Sequence, residues 1–179
     1  MKAKLAQLSI SVAAALLGPR TTASEGAGIE IRSTPSKGLG AFATRDFAEG
    51  EYIGRYTGVC MTFSEAEAAL ASGDTSGDYF ATLNIGPLNV GPLIVDAEDY
   101  QVSSWARFIN HSRRNNCRNV ELRQPLEPVF DGRVPLGLYV QSCRDINAGE
   151  ELLIQYGGEY WDDRGFPMSN PRRWVIDWL

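Results

Sequence analysis

Histidine is almost missing from this 179-residue chain, in which His111 is the only one. That scarcity excludes a multi-histidine metal centre, and any hydrolytic triad would have to use His111 without the G-x-S-x-G elbow that usually presents the nucleophile. Cysteine is scarce as well. Cys60, Cys117 and Cys143 are odd in number, far apart and without a C-x-x-C pair, so neither a disulfide framework nor a structural zinc site is expected. Free or buried thiols are the simpler expectation, and no metal is assigned. No apolar run is long enough for a membrane-spanning helix, and no repeat of solenoid or propeller period is present. Basic residues do not dominate either: the net charge is −5. That balance argues against direct nucleic-acid binding and suits either a basic peptide partner or a plain soluble surface.

What is present is an ordinary globular composition, 44% apolar and 22% charged, with eighteen glycines and nine prolines spread without a period. Such punctuation favours a turn-rich, mostly β protein with short helices, of α+β class, over a helical bundle. Residues 1–28 form an N-terminal extension. Its first 24 residues carry Lys2, Lys4 and Arg20 and an apolar stretch from Val12 to Leu17, without an acidic residue. They read equally as a secretory or organellar targeting segment and as an ordinary amphipathic helix.

From Ile29 the pattern changes to short alternating segments. Strands are predicted over Ile29–Arg32, Ala41–Thr44, Glu51–Tyr56, Tyr79–Ile85, Leu93–Ala97, Leu136–Ser142 and Glu151–Tyr156. Turns are predicted over Ser33–Gly40, Asp46–Gly50 and Asp145–Gly149. One helix is predicted over Phe63–Ala71, capped by Thr62 or Ser64 and ended by Gly73.

Four segments carry polar groups that a site could use. Lys37-Gly38-Leu39-Gly40-Ala41-Phe42 allows close backbone approach to a ligand, although a plain turn would account for it and the third glycine of a dinucleotide fingerprint is missing. Gly54-Arg55-Tyr56-Thr57-Gly58 ends a strand in a tyrosine. Arg107-Phe108-Ile109-Asn110-His111-Ser112 places three polar side chains directly after apolar ones, where they need partners or cost about 1–3 kcal/mol each. Gly149-Glu150-Glu151-Leu152 runs through Gln155 into Tyr156-Gly157, with a hydroxyl at a strand end.

Taken together and in this order, the four segments resemble the SET domain of protein-lysine methyltransferases, over about Ile29 to Gly157. The resemblance implies a β-clip-like fold of short strands with a knot-like core, spanning residues 29–157, and a C-terminal tail, 158–179, that closes the site. It implies S-adenosyl-L-methionine as cofactor, held near Lys37, Gly38, Leu39, Gly40, Tyr79, Arg107, Asn110 and His111. It implies Tyr156 as the catalytic tyrosine, also touching the cofactor, and Tyr56 in the channel for the target lysine. Trp161 or Tyr160 is expected near the adenine. The implied partner is a lysine-containing protein or peptide, possible examples being histone tails. Family resemblance points to nucleus or cytoplasm, whereas residues 1–24 leave an organelle or secretion open.

The chain departs from the family pattern in three places. Arg113-Arg114-Asn115-Asn116 stands where many members read C-x-P-N, Gln155 replaces a frequent aspartate, and Ile154 occupies a position often held by Phe or Tyr. These departures motivate an alternative, a non-catalytic SET-like module that binds a peptide as a scaffold. They also leave the number of methyl groups open. The chemistry itself suits the inventory: in-line methyl transfer to an amine depends on alignment and needs no imidazole base.

Overall fold

A computed structural model describes residues 28–84, 92–112, 117–125 and 137–155. The order along the chain is β1 (Ile29–Thr34), β2 (Gly38–Ala43), β3 (Tyr52–Tyr56), β4 (Val59–Thr62), α1 (Phe63–Ser72), β5 (Phe80–Leu83) and β6 (Leu93–Asp96), followed by a 3-10 turn (Trp105–Phe108), β7 (Asn110–His111), β8 (Val120–Arg123), β9 (Leu138–Ser142) and β10 (Leu153–Ile154). The mostly β, α+β class expected from the sequence is what forms.

The strands make four small sheets: the hairpin β1–β2, the antiparallel sheets β3-β9-β8 and β4-β6-β5, and a parallel pair β10–β7. Their inner faces share one core, in which Ala41, Phe47, Val95, Val120, Val140, Ile146 and Leu152 are essentially inaccessible to solvent. The helix is capped as its sequence requires. Thr62 Oγ1 accepts from Glu65 N while Glu65 Oε2 accepts from Thr62 N at 2.8 Å, and Gly73 closes the end at φ +78°.

Three local expectations are corrected. Ser33–Gly40 is not one long turn. The reversal is confined to about Pro35–Lys37, and Gly38–Gly40 pairs with Ser33, Thr34 and Arg32 across the hairpin. Strand β10 is only two residues long within the expected Glu151–Tyr156. Strands β4, β7 and β8 are additions, and β4 follows from β3 because Gly58 lets the chain pass against the Asp96 backbone, where any Cβ would collide.

The chain also holds a short repeat that a search for long periods misses. Arg45-Asp46-Phe47-Ala48-Glu49-Gly50-Glu51 and Arg144-Asp145-Ile146-Asn147-Ala148-Gly149-Glu150 fold alike and pack on each other. Phe47 and Ile146 exchange both backbone hydrogen bonds at 2.9 Å. Asp46 Oδ1 accepts from Ala148 N and Asp145 Oδ1 from Glu49 N, each at 2.8 Å, so each turn caps the other. Within each turn the arginine meets the last glutamate at 2.7 Å. Gly50 and Gly149 take φ of +81° and +93°, conformations that glycine adopts without strain.

The parallel pair is held by a side chain. Asn119, 1% exposed, donates from Nδ2 to Glu151 O at 2.9 Å and accepts on Oδ1 from Leu153 N at 2.7 Å. Its own N–H donates to Leu153 O and its carbonyl accepts from Cys143 N. Ser112 N then donates to Ile154 O at 2.8 Å. Strands β7 and β10 are thereby held side by side.

Truncating Asn119 to alanine leaves two backbone groups unpaired in a dry interior. Asn119→Ala is therefore expected to destabilise the fold by about 2–4 kcal/mol, read from urea unfolding; a loss below about 1 kcal/mol would mean that water replaces the amide. The turn pair predicts an acid limb. The Arg144 guanidinium and the Asn147 N–H hold the Glu150 carboxyl down to about 2, and Arg45 likewise lowers Glu51. Folded values below the ordinary 4.5 mean that this stability is complete above about pH 4.5 and is lost as the pH falls toward about 2. Melting temperature should fall across that window, and less steeply in Glu150→Gln.

Candidate active site

The first polar cluster forms where β1–β2, β7 and the segment after Gly149 meet. Glu151 is its centre. Its Oε1 accepts from Asn110 Nδ2 at 2.9 Å and its Oε2 lies 3.5 Å from Lys37 Nζ. Asn110 Nδ2 also donates to Leu39 O at 3.0 Å. Gly40 makes this approach possible: a Cβ there would stand 3.0 Å from both Asn110 Nδ2 and Glu151 Oε1 and 2.8 Å from Thr34 Cγ2. Leu39 offers its carbonyl to Asn110 while the residue remains 48% exposed.

His111 follows Asn110 on β7. Partial burial and the nearby Lys37 cation both push its pKa below the usual imidazole value, so it is neutral at pH 7. Lys37, Gly38, Leu39, Gly40, Asn110 and His111, expected at one site from separate motifs, are thus brought together. Glu151 lies in a motif without a role predicted from the sequence, and Asn119 lies outside the four segments. The signal for Glu151 was available: two consecutive glutamates in an extended chain face opposite ways, one to each side.

A second cluster contains Tyr56, Tyr79 and Arg107. The Tyr56 hydroxyl donates to Tyr79 O at 2.7 Å. The Arg107 guanidinium lies over the Tyr79 ring, 4.6 Å from its centroid, and donates to Ala97 O at 2.8 Å and Glu98 O at 2.7 Å. Arg107 therefore braces the chain leaving β6. Glu98 completes the brace: burial alone would raise its carboxyl, but donors from Thr75 and Ser76, with Arg107 nearby, hold it below the ordinary value.

Ser104 links this cluster to the first. It caps the 3-10 turn, its Oγ donating to Arg55 O at 2.6 Å and accepting from Ala106 N. The turn ends at Ile109, directly before Asn110, so the position of Asn110 follows from packing of Trp105 and Ala106 in the core. Among the described residues, Gln155 Oε1 is buried without a hydrogen-bond partner, next in sequence to Tyr156. Tyr156, Tyr160 and Trp161 lie outside the described residues, as do residues 1–27 and the tail 158–179.

Among known families, the SET domain matches residues 38–157. The chain belongs to the SET-domain family. N-lysine methyltransferase KMT5A-A of Xenopus laevis is 35% identical over 136 residues, which cover 73% of this chain and 36% of that protein. Histone-lysine N-methyltransferase MEDEA of Arabidopsis thaliana is 33% identical over 137 residues, 75% of this chain and 18% of that protein. The chain thus spans about a third or less of the length of these relatives. The methyltransferase domain of human PR domain-containing protein 2 shares the fold, with a TM-score of 0.55 at 18% identity over 83% of this chain and 97% of that one.

Gly40 tests whether the cluster is a ligand site. Gly40→Ala wedges a methyl group between Thr34, Asn110 and Glu151. Calorimetric titration with S-adenosylmethionine is expected to show affinity falling about tenfold or more for Gly40→Ala. Undiminished affinity in that variant would detach the cluster from ligand binding.

Proposed function

We propose that this SET domain is an S-adenosyl-L-methionine-dependent protein-lysine N-methyltransferase. The observation that carries the reading is the convergence of Lys37, Leu39, Gly40, Asn110 and Glu151 from three distant segments in one partly buried polar cluster. The cluster fits the cofactor chemically. A cation and a carboxylate stand 3.5 Å apart, and Asn110, with both amide N–H groups taken, offers its carbonyl oxygen as an acceptor. Lys37, Gly38–Gly40, Asn110 and His111, with Tyr79 and Arg107 of the second cluster, would hold the cofactor, which supplies an electrophilic methyl group on a sulfonium.

The chain's own groups have narrower tasks. Tyr56, pinned by its hydroxyl to the Tyr79 carbonyl, would form a wall of the lysine channel, and Arg107 fixes that wall from behind. A lysine amine must be neutral to attack, and partial burial beside a cationic ligand favours the neutral form. His111 is not needed as a base; its lowered pKa keeps a second positive charge away from the cofactor. Tyr156 would orient the amine and the methyl group through its hydroxyl, and Trp161 would lie near the adenine.

A protein substrate is supported by the kinship with lysine methyltransferases, and a histone tail is the first substrate to try. A non-histone substrate is the alternative within the same reaction. The deciding experiment is transfer of labelled methyl groups from S-adenosylmethionine to mixed histones and to whole-cell protein, read by mass spectrometry. Transfer is expected for the unaltered protein, with a loss of about a hundredfold or more in Tyr156→Phe while cofactor affinity is kept. Cofactor binding without transfer to any protein would instead favour the scaffold module, and full activity in Tyr156→Phe would remove the catalytic role from that residue.

A further inference from the structure

Glu151 does more than fill a motif. An asparagine amide has two N–H donors on one side and a carbonyl acceptor on the other. At Asn110 both donors are taken, one by Leu39 O at 3.0 Å and one by Glu151 Oε1 at 2.9 Å. Turning the amide over would set its carbonyl oxygen against two acceptors, one of them a carboxylate. Leu39 O alone could not forbid that rotation with the same force, because it is a neutral acceptor and Glu151 is charged. The Glu151 and Lys37 side chains are only 21% and 24% exposed, so their charges act in a partly dry setting.

We propose that Glu151 is a positioning residue: by accepting from Asn110 it turns the Asn110 carbonyl oxygen outward, and so selects a ligand that presents an ammonium at that point beside a carboxylate for Lys37. This inference rests on the cofactor reading and adds to it the residue that sets the Asn110 amide. An end group carrying both charges complements a cation, a carboxylate and a fixed acceptor in one place. A ligand lacking that end would gain nothing from Glu151.

Two probes separate these contributions. S-adenosylhomocysteine carries the ammonium–carboxylate end, and 5′-methylthioadenosine has the same adenosine and sulfur without it. Calorimetry on the full chain should show the preference for S-adenosylhomocysteine reduced about tenfold or more in Glu151→Ala, with methylthioadenosine binding unchanged. Glu151→Asp keeps the charge but withdraws it from Asn110, and should behave like the alanine variant; it carries the test if Glu151→Ala does not fold. Glu151→Gln keeps an acceptor and should retain the preference to within about threefold.

Equal loss of both probes in Glu151→Ala and Glu151→Asp would reduce Glu151 to a structural residue and overturn the proposal. So would an undiminished preference in Glu151→Asp, or a Glu151→Gln variant as impaired as the alanine one. Failure of the unaltered protein to bind S-adenosylhomocysteine or S-adenosylmethionine at all would overturn the cofactor reading, and this inference with it.

Discussion

The site depends on one buried amide. Strands β7 and β10 pair over two residues each, too few to hold a parallel ladder through backbone bonds alone. Asn119 supplies the missing length, because its side chain accepts from one residue of the last segment and donates to another as a neighbouring strand would. Its side-chain oxygen and nitrogen each have a partner, as do its own backbone N–H and carbonyl, and a buried polar group partnered in this way stabilises a core rather than weakening it. The bonds to Glu151 O and Leu153 N also fix where Glu151 points. The orientation of Asn110, and with it the acceptor offered to a ligand, follows from that.

The rest of the scaffold brings the other wall to meet it. Ser104 ties the 3-10 turn to β3, and Arg107 ties the same turn to the chain leaving β6. Tyr56 and Tyr79 are thereby set at a fixed distance along the chain from Asn110, which the turn delivers at its end. The two clusters divide the work by charge. The first contains a cation, a carboxylate and an amide, suited to a charged ligand. In the second, the guanidinium is engaged by two backbone carbonyls and lies over the Tyr79 ring.

Much of this was legible in the sequence, for local reasons. Thr62, Glu65 and Gly73 specify both ends of α1 through their own backbone neighbours, so the helix could be read without knowing the fold. The alternation in Leu138–Ser142 and the turn at Asp145–Gly149 are likewise local. The order of motifs identified the family and most of the first cluster. What stayed hidden depends on partners far along the chain. Strand β7 is two residues whose strand character comes only from Leu153 and Ile154, and Asn119 has no periodicity to announce it. Strand β8 was open to reading, since Val120 and Leu122 are buried and Arg123 is exposed in alternation. Gly38–Gly40 reads as turn material because glycine usually marks one; here Gly40 is in a strand for the room it gives Asn110 and Glu151.

The turn repeat shows why adjacent residues in a short motif need not share a purpose. In Gly149-Glu150-Glu151 the glycine takes a left-handed conformation and Glu150 closes the turn on Arg144, facing solvent. The next side chain points the other way, to Asn110 and Lys37. The same division holds in Asn110-His111-Ser112, where Asn110 faces Glu151 while Ser112 is buried and its N–H pairs with Ile154 O. In both strings one residue fixes the backbone and a neighbour uses the position so fixed. The pairing is also reciprocal in space, since the residue that Ser112 holds, Ile154, follows the segment that Glu151 opens. Tightening either string therefore tightens the other, so the two motifs act as one unit although about forty residues of chain separate them.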